Sequence, residues 1–272
     1  MITVTLDELN ASAALQTRVD RKYVLRGDDL DRLWADLPAV RVLDIDGQRR
    51  FGYESTYFDT AGLDCYLAAA RSRPNRFKVR TRTYLDSGTH VLELKTRDRS
   101  RSTVKTRTVV TDHLVDLDAD AVAFIAANLS ERLPTRAWST ELPKQLVPSL
   151  RTAYQRTTLL LDPIEHGAEL ASRATIDTSL TVSTPDGRSQ VWPDVVIVET
   201  KSPGSPTRLD RLLWAAGHRP QTISKYGIGL AALQPALPAH KWRPVLRRHL
   251  GVGTNHSPRS TRIATKIGDP TS

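Results

Sequence analysis

The stretch Phe77-Lys78-Val79-Arg80-Thr81-Arg82-Thr83-Tyr84 decides how this chain is read. Successive side chains of a β-strand point to opposite faces, so charge and apolarity separate with period two. One face carries Lys78, Arg80, Arg82 and Tyr84, and the other carries Phe77, Val79 and two threonines. A helix would scatter these residues around its axis; a strand sorts them cleanly. The turn residues Asp86-Ser87-Gly88 follow at once and suit a hairpin. Val91-Leu92-Glu93-Leu94-Lys95 then repeats the alternation, with Glu93 and Lys95 in phase and Arg97 beyond them.

Working outward, the same pattern recurs. Lys105 and Arg107 share a phase, as do Glu199 and Lys201, and Arg173 is in phase with Asp177; the first candidate strand puts Arg18, Asp20, Lys22 and Arg26 on one face. Period-two segments at 17–26, 52–58, 77–85, 91–97, 103–110, 154–161, 171–182 and 195–201 predict an antiparallel, β-dominated α+β fold. Pro185-Asp186-Gly187 marks a second hairpin. Helical spacing at Leu30, Leu33, Trp34 and Leu37, between Leu114 and Leu133, and at Leu209, Leu212, Leu213 and Ala216 predicts helices that cover or plug the sheet.

The phase of the charges carries the function. A solvated sheet face normally intersperses both signs, because like charges placed opposite each other are destabilising. These faces are rich in Arg and Lys, and strands closed into a barrel with such faces inward would form a cavity that calls for an anion with many oxygens. Arg suits that task because its planar fork grips phosphate with two hydrogen bonds. The isolated carboxylates Asp20, Glu93 and Glu199 sit in phase with the basic residues on three different strands. A divalent cation, Mg²⁺ or Mn²⁺, would explain them, since it takes carboxylate and phosphate oxygens together. The alternative is that each pairs with a neighbouring Arg or Lys.

Composition narrows the field further. Among 272 residues, Lys and Arg number 39 against 30 Asp and Glu, a formal net charge of +9 that favours an anionic partner. The single cysteine, Cys65, excludes an intramolecular disulfide and a thiolate zinc site, and is expected to be buried and inert. The longest apolar run, 121–127, is far short of the ~20 residues a membrane-spanning helix needs, and the first residues lack a basic and apolar leader. No transmembrane segment and a cytoplasmic protein are therefore expected. Aromatic residues make up only 6%, and the basic faces lack the interleaved aromatics that stack bases. Specific nucleic-acid binding is not expected, despite the Arg-rich segments at 243–249 and 259–266.

From about residue 237 the chain is rich in Pro, Arg, Ser, Thr and Gly with little periodic apolarity. The expected organisation is one domain over 1–240 and a disordered basic tail over 250–272.

Seven motifs occur in an order that resembles the VTC polyphosphate polymerase domain of the triphosphate tunnel metalloenzyme superfamily. They are Arg18-Val19-Asp20-Arg21-Lys22-Tyr23, Tyr57-Phe58-Asp59-Thr60, Lys78 through Tyr84, Leu92-Glu93-Leu94-Lys95, Arg173-Ala174-Thr175-Ile176-Asp177, Glu199-Thr200-Lys201 and Ser224-Lys225-Tyr226. The resemblance covers about residues 15 to 232. It implies a closed eight-stranded antiparallel tunnel with charged side chains inward, binding ATP, polyphosphate and Mn²⁺ or Mg²⁺. It also implies transfer of the γ-phosphoryl of ATP to a polyphosphate chain. Carried over by motif, Lys22, Arg80, Arg82, Lys95, Arg173 and Lys225 are the expected catalytic phosphate ligands. Arg18, Arg71, Lys78, Lys105, Arg107, Lys201 and Ser224 are the expected substrate contacts, Arg71 and Arg107 on looser motifs. Glu199 is the expected metal ligand, with Glu93 and Asp20 beside it.

The hydrolytic branch of that superfamily opens with Glu-x-Glu-x-Lys, where this chain reads Arg18, Asp20 and Lys22. Exchanging the first carboxylate for Arg18 removes capacity to bind metal and activate water while adding a phosphate ligand. A tripolyphosphatase or nucleoside triphosphatase is the alternative enzyme, and a polyphosphate-binding module without turnover is the alternative outside catalysis.

Overall fold

The computed structural model describes residues 2–12, 19–35, 37, 40–100, 103–112, 116–133, 141–161 and 171–251. Eleven strands are present: β1 (Ile2–Val4), β2 (Val19–Arg26), β3 (Val40–Leu43), β4 (Phe51–Asp59), β5 (Arg76–Tyr84), β6 (Thr89–Arg97), β7 (Thr103–Val110), β8 (Val147–Leu161), β9 (Ser172–Ser183), β10 (Ser189–Trp192) and β11 (Val195–Ser202). Among the described residues seven α-helices accompany them: α1 (Leu6–Ser12), α2 (Gly27–Ala35), α3 (Asp64–Ala70), α4 (Ala119–Arg132), α5 (Arg208–Ala215), α6 (Lys225–Leu233) and α7 (Arg243–His249). The eight strands expected from period-two segments all form. Asp86-Ser87-Gly88 closes the β5–β6 hairpin and Pro185-Asp186-Gly187 the β9–β10 hairpin, with Gly88 and Gly187 at φ 65° and 89°.

The backbone ladder runs β2-β11-β9-β8-β4-β5-β6-β7, with β1, β3 and β10 attached to its side. The expected closed eight-stranded tunnel is therefore corrected: eight strands do lie on one path, but among the described residues the sheet is open and has eleven strands. β2 and β7 are its two edges and do not pair. The β7 edge carries Lys105 and Arg107, both exposed, in the phase of the charged face. Charged side chains guard the β7 edge against pairing with another chain.

One face of the sheet carries two apolar clusters, each covered by helices, with the Arg151–Glu54 ion pair on the strands between them. Tyr23, Leu25, Ile176, Val196 and Val198 pack under Leu33 of α2 and Leu209 and Leu213 of α5. Phe77, Val79, Leu92 and Leu94 pack under Ala121, Ile125 and Leu129 of α4. Cys65 is buried in this second cluster, where its surroundings push the thiol's pKa well up.

The other face is divided. Val24, Tyr57, Leu150, Tyr154, Leu180, Val182, Val195 and Ile197 form an apolar floor on which α6 and α7 sit. α6 is apolar all round, and every residue after Lys225 is buried. Gly227 allows this packing, since a Cβ there would run into the six-membered ring of Trp242. Trp242, Val245, Leu246 and Leu250 are buried in the same cluster. Packed structure thus continues beyond 240, where little periodic apolarity is evident in the sequence, because a few large apolar residues spaced along a turn and short helix suffice. The tail expected over 250–272 lies, from 252 onward, outside the described residues.

Candidate functional site

The remaining part of that face is charged. Lys78 of β5 stands opposite Lys95 of β6, which stands opposite Lys105 of β7. Across the sheet, Lys22 of β2 stands opposite Glu199 of β11. The curl of the sheet brings these walls together: burial and the charges of Lys22, Lys95, Lys241 and Arg76 push the Lys78 ammonium's pKa well down. Lys95 is lowered by partial desolvation of its ammonium and by Lys22, against the opposing pull of Asp20 and Glu199. Lys95 is exposed, at the edge of the cleft. Among the described residues, Lys22, Lys78 and Lys95 form no salt bridge. Like charges held directly opposite are destabilising, so this arrangement asks for a polyanion.

Three carboxylates hold the remaining cations in place. Glu93, 2% exposed, accepts from Arg80 Nε at 2.6 Å and Lys105 Nζ at 2.9 Å. Burial would raise its pKa, but Arg80, Arg82 and Lys105 outweigh that and hold it far below the carboxylate range. Asp177 accepts from Arg156 Nε at 2.6 Å and Nη2 at 2.8 Å, and also from Lys225 Nζ. Its carboxyl is likewise depressed, Arg156 and Lys225 overcoming burial. Glu199 lies 3.4 Å from Lys201 Nζ, and Lys22, Lys201, Arg156 and Lys225 hold it ionised against burial.

Tyrosines line the space between these groups. The Tyr53 and Tyr154 rings stack 5.4 Å apart, with Arg82 and Arg156 over Tyr53 at 5.5 and 5.0 Å and the Lys225 ammonium 4.2 Å from the Tyr154 centroid. Such cation–π contacts hold cationic side chains without neutralising them. Arg80 Nη1 donates to Tyr57 Oη at 3.1 Å and Arg82 Nη2 to Tyr154 Oη at 3.2 Å. The field is strong enough that the Tyr154 phenol's pKa is lowered: burial pushes it up, and Arg82, Arg156 and Lys225 pull it down further.

The structure thus gathers Lys22, Lys78, Arg80, Arg82, Lys95, Lys105, Lys201, Lys225, Glu93 and Glu199 around one cleft. Asp20 stands opposite Lys201 at its exposed edge. Other expected residues lie elsewhere or do different work. Arg173 turns its Nη2 to the Leu9 carbonyl at 3.0 Å and Asn10 Oδ1 at 3.3 Å, tying β9 to α1. Arg71 is the exposed C-cap of α3, and its side chain makes no hydrogen bond to the cleft among the described residues. Arg107 is exposed on edge strand β7, opposite Glu93. Ser224 Oγ caps α6 by accepting from Gly227 N at 3.1 Å. Arg18 lies outside the described residues. Arg156 is not singled out by the sequence because it is the lone charge on its face of β8; its phase with Thr152, Tyr154 and Thr158 is the available signal.

Among the described residues no group of three or more His, Cys, Asp or Glu is arranged to hold a metal ion. Glu93 is bound by Arg80 and Lys105 on one wall, whereas Glu199 and Asp20 act together on Lys95 from the other. The donor set therefore fits a hard divalent cation only as one shared between Glu199, Asp20 and phosphate oxygens.

Fold and site together define a curled, largely antiparallel sheet with a strongly basic cleft on one face. The VTC domain family model matches residues 17–234, and the chain belongs to that family. No curated protein matches the chain in sequence. Among solved structures, PH1819 from Pyrococcus horikoshii OT3 is similar at 12% identity and TM-score 0.40, over 78% of this chain and 97% of that one. HpAC1 from Hippeastrum, for which a dominant triphosphatase activity is described, is similar at 14% identity and TM-score 0.38, over 78% and 96%. PH1012, also from Pyrococcus horikoshii OT3, is similar at 12% identity and TM-score 0.36, over 74% and 88%. No helix of the described residues is long and apolar enough to cross a membrane.

Proposed function

We propose that the protein is an ATP-dependent polyphosphate polymerase, whose cleft holds the triphosphate of ATP in line with the end of a polyphosphate chain. The observation that carries this reading is the set of lysines, Lys22, Lys78 and Lys95, that face one another from separate strands without a salt-bridge partner among the described residues. Phosphoryl transfer needs mainly positioning and charge neutralisation, which such a set supplies. A terminal oxygen of the acceptor chain, already ionised, forms the new bond to the γ-phosphorus. The bond from that phosphorus to the β,γ-bridging oxygen breaks, and ADP leaves with the electron pair. No covalent enzyme intermediate and no protein base are required.

In this reading Arg80, held by Glu93 and Tyr57, and Lys225, held by Asp177, present fixed donors to the equatorial oxygens. Lys22 and Lys95 neutralise the charge that gathers on the leaving oxygen. Glu199 and Asp20 would hold Mn²⁺ or Mg²⁺ against phosphate oxygens, where the cation adds charge neutralisation. On the cleft face of β2 the only carboxylate is Asp20. A sparse acidic complement favours holding the chain over activating water, which supports transfer ahead of triphosphate hydrolysis. The test is incubation of the purified protein with ATP and Mn²⁺, separating ADP, orthophosphate and polyphosphate. Polyphosphate with matching ADP supports the proposal; orthophosphate release alone assigns a triphosphatase, and binding without turnover assigns a polyphosphate-binding module.

A further inference from the structure

The basic ladder does not stop at Lys78 and Lys95. One rung further along the same two strands, Arg76 stands directly opposite Arg97, a second consecutive like-charged pair. Both are half-buried, and neither forms a salt bridge among the described residues. Arg76 Nη1 donates to the Arg73 carbonyl, a neutral acceptor. The 3₁₀ turn before α7 (His240–Trp242) adds a third cation here, Lys241. Its ammonium donates to the Ala69 carbonyl at the end of α3 and lies 4.8 Å from the Trp242 ring centroid. None of these contacts neutralises it, and burial with the charges of Arg76 and Arg97 brings its pKa down to about 8. The fold therefore collects three cations from two strands and a turn at one mouth of the cleft. Opposed like charges work against folding, and the bond to Ala69 alone would be met by a neutral donor.

We propose that Arg76, Arg97 and Lys241 form a separate anion subsite for the part of a polyphosphate chain remote from its reacting end. This rests on the reading that the cleft binds polyphosphate. Successive rungs on one face are about 6.8 Å apart along a strand, a step that a few phosphoryl units of an extended chain span. A triphosphate seated on Lys22, Lys78 and Lys95 ends short of the mouth, whereas a longer chain continues over the Arg76 and Arg97 guanidinium groups. The subsite makes the protein favour long chains over triphosphate without any group that recognises chain length as such.

The experiment compares tripolyphosphate and long-chain inorganic polyphosphate by titration calorimetry on the full chain, wild type against Lys241→Gln and Arg76→Gln/Arg97→Gln. Gln keeps hydrogen-bonding capacity at each position, so loss of charge is isolated. The expected result is a loss of about tenfold or more for the long chain with a change of about twofold or less for tripolyphosphate. Equal losses for the two ligands, or no loss for either, overturn the subsite. Wild-type protein that binds neither ligand overturns instead the reading of the whole cleft. If the double variant melts early, Lys241→Gln and Arg97→Gln alone carry the comparison, since a purely structural role would lower the melting temperature without separating the ligands by length.

Discussion

Replacing Asp177 by Asn tests how the cleft is held together. Asp177 is 1% exposed and is shared by the Arg156 guanidinium, which grips it with two hydrogen bonds, and the Lys225 ammonium. Both cations are themselves largely buried, their side chains 13% and 11% exposed. In the Asp177→Asn variant one carboxylate oxygen is replaced by an amide nitrogen, a donor that faces donors, and two buried charges lose their counter-charge. Breaking a buried ion pair by removing one partner costs about 3–5 kcal/mol. The surviving amide oxygen points to the lower end, about 3 kcal/mol, or a fall of about 6–12 °C in melting temperature for a chain of this size. The assay is thermal unfolding with and without tripolyphosphate. At a hundredfold excess over Kd the ligand adds about 2.7 kcal/mol to the wild type. It should add more to Asp177→Asn, because its oxygens restore the missing negative charge beside Arg156 and Lys225. A fall of under about 2 °C would refute the buried-pair reasoning. A ligand gain no larger than in the wild type would show that Arg156 and Lys225 do not face the bound anion.

Gly227→Ala should lower stability by about 1–3 kcal/mol or more, since the added methyl meets the buried Trp242 ring and overpacks it; urea unfolding measures this, and an unchanged midpoint would mean the α6 packing is looser than described. Lys78, Lys95 and Lys201 have depressed pKa values in the folded protein, so above them the unfolded chain binds more protons. Stability of the ligand-free protein should therefore rise as pH climbs toward the ordinary lysine value of about 10.4. Saturating tripolyphosphate, which favours the charged lysines, should flatten or reverse that rise in a thermal series. Glu199→Gln should abolish Mn²⁺-dependent turnover while leaving most of the tripolyphosphate affinity, read by product separation and calorimetry; turnover with unchanged Mn²⁺ dependence would move the cation away from β11.

What the sequence by itself determined was local phase. Lys78, Arg80 and Arg82 on one face, and Glu93 with Lys95 on its hairpin partner, follow from period two and a turn, both short-range properties of the chain. The VTC family followed from such motifs in order. Phase says which face a charge occupies, and not what stands opposite it. The sharing of Asp177 by Arg156 and Lys225 joins positions separated by 21 and 48 residues. The diversion of Arg173 to Leu9 spans 164. The partners of Glu93 and the gathering of Lys22, Lys95 and Lys241 around Lys78 likewise emerge only when the sheet curls. α6 left no amphipathic signal because it is surrounded by core, and an apolar helix without a polar face has no phase to read. Whether the ladder closed could not be read either, since β2 and β7 are distant in the chain and such strands meet, or fail to meet, only through tertiary packing.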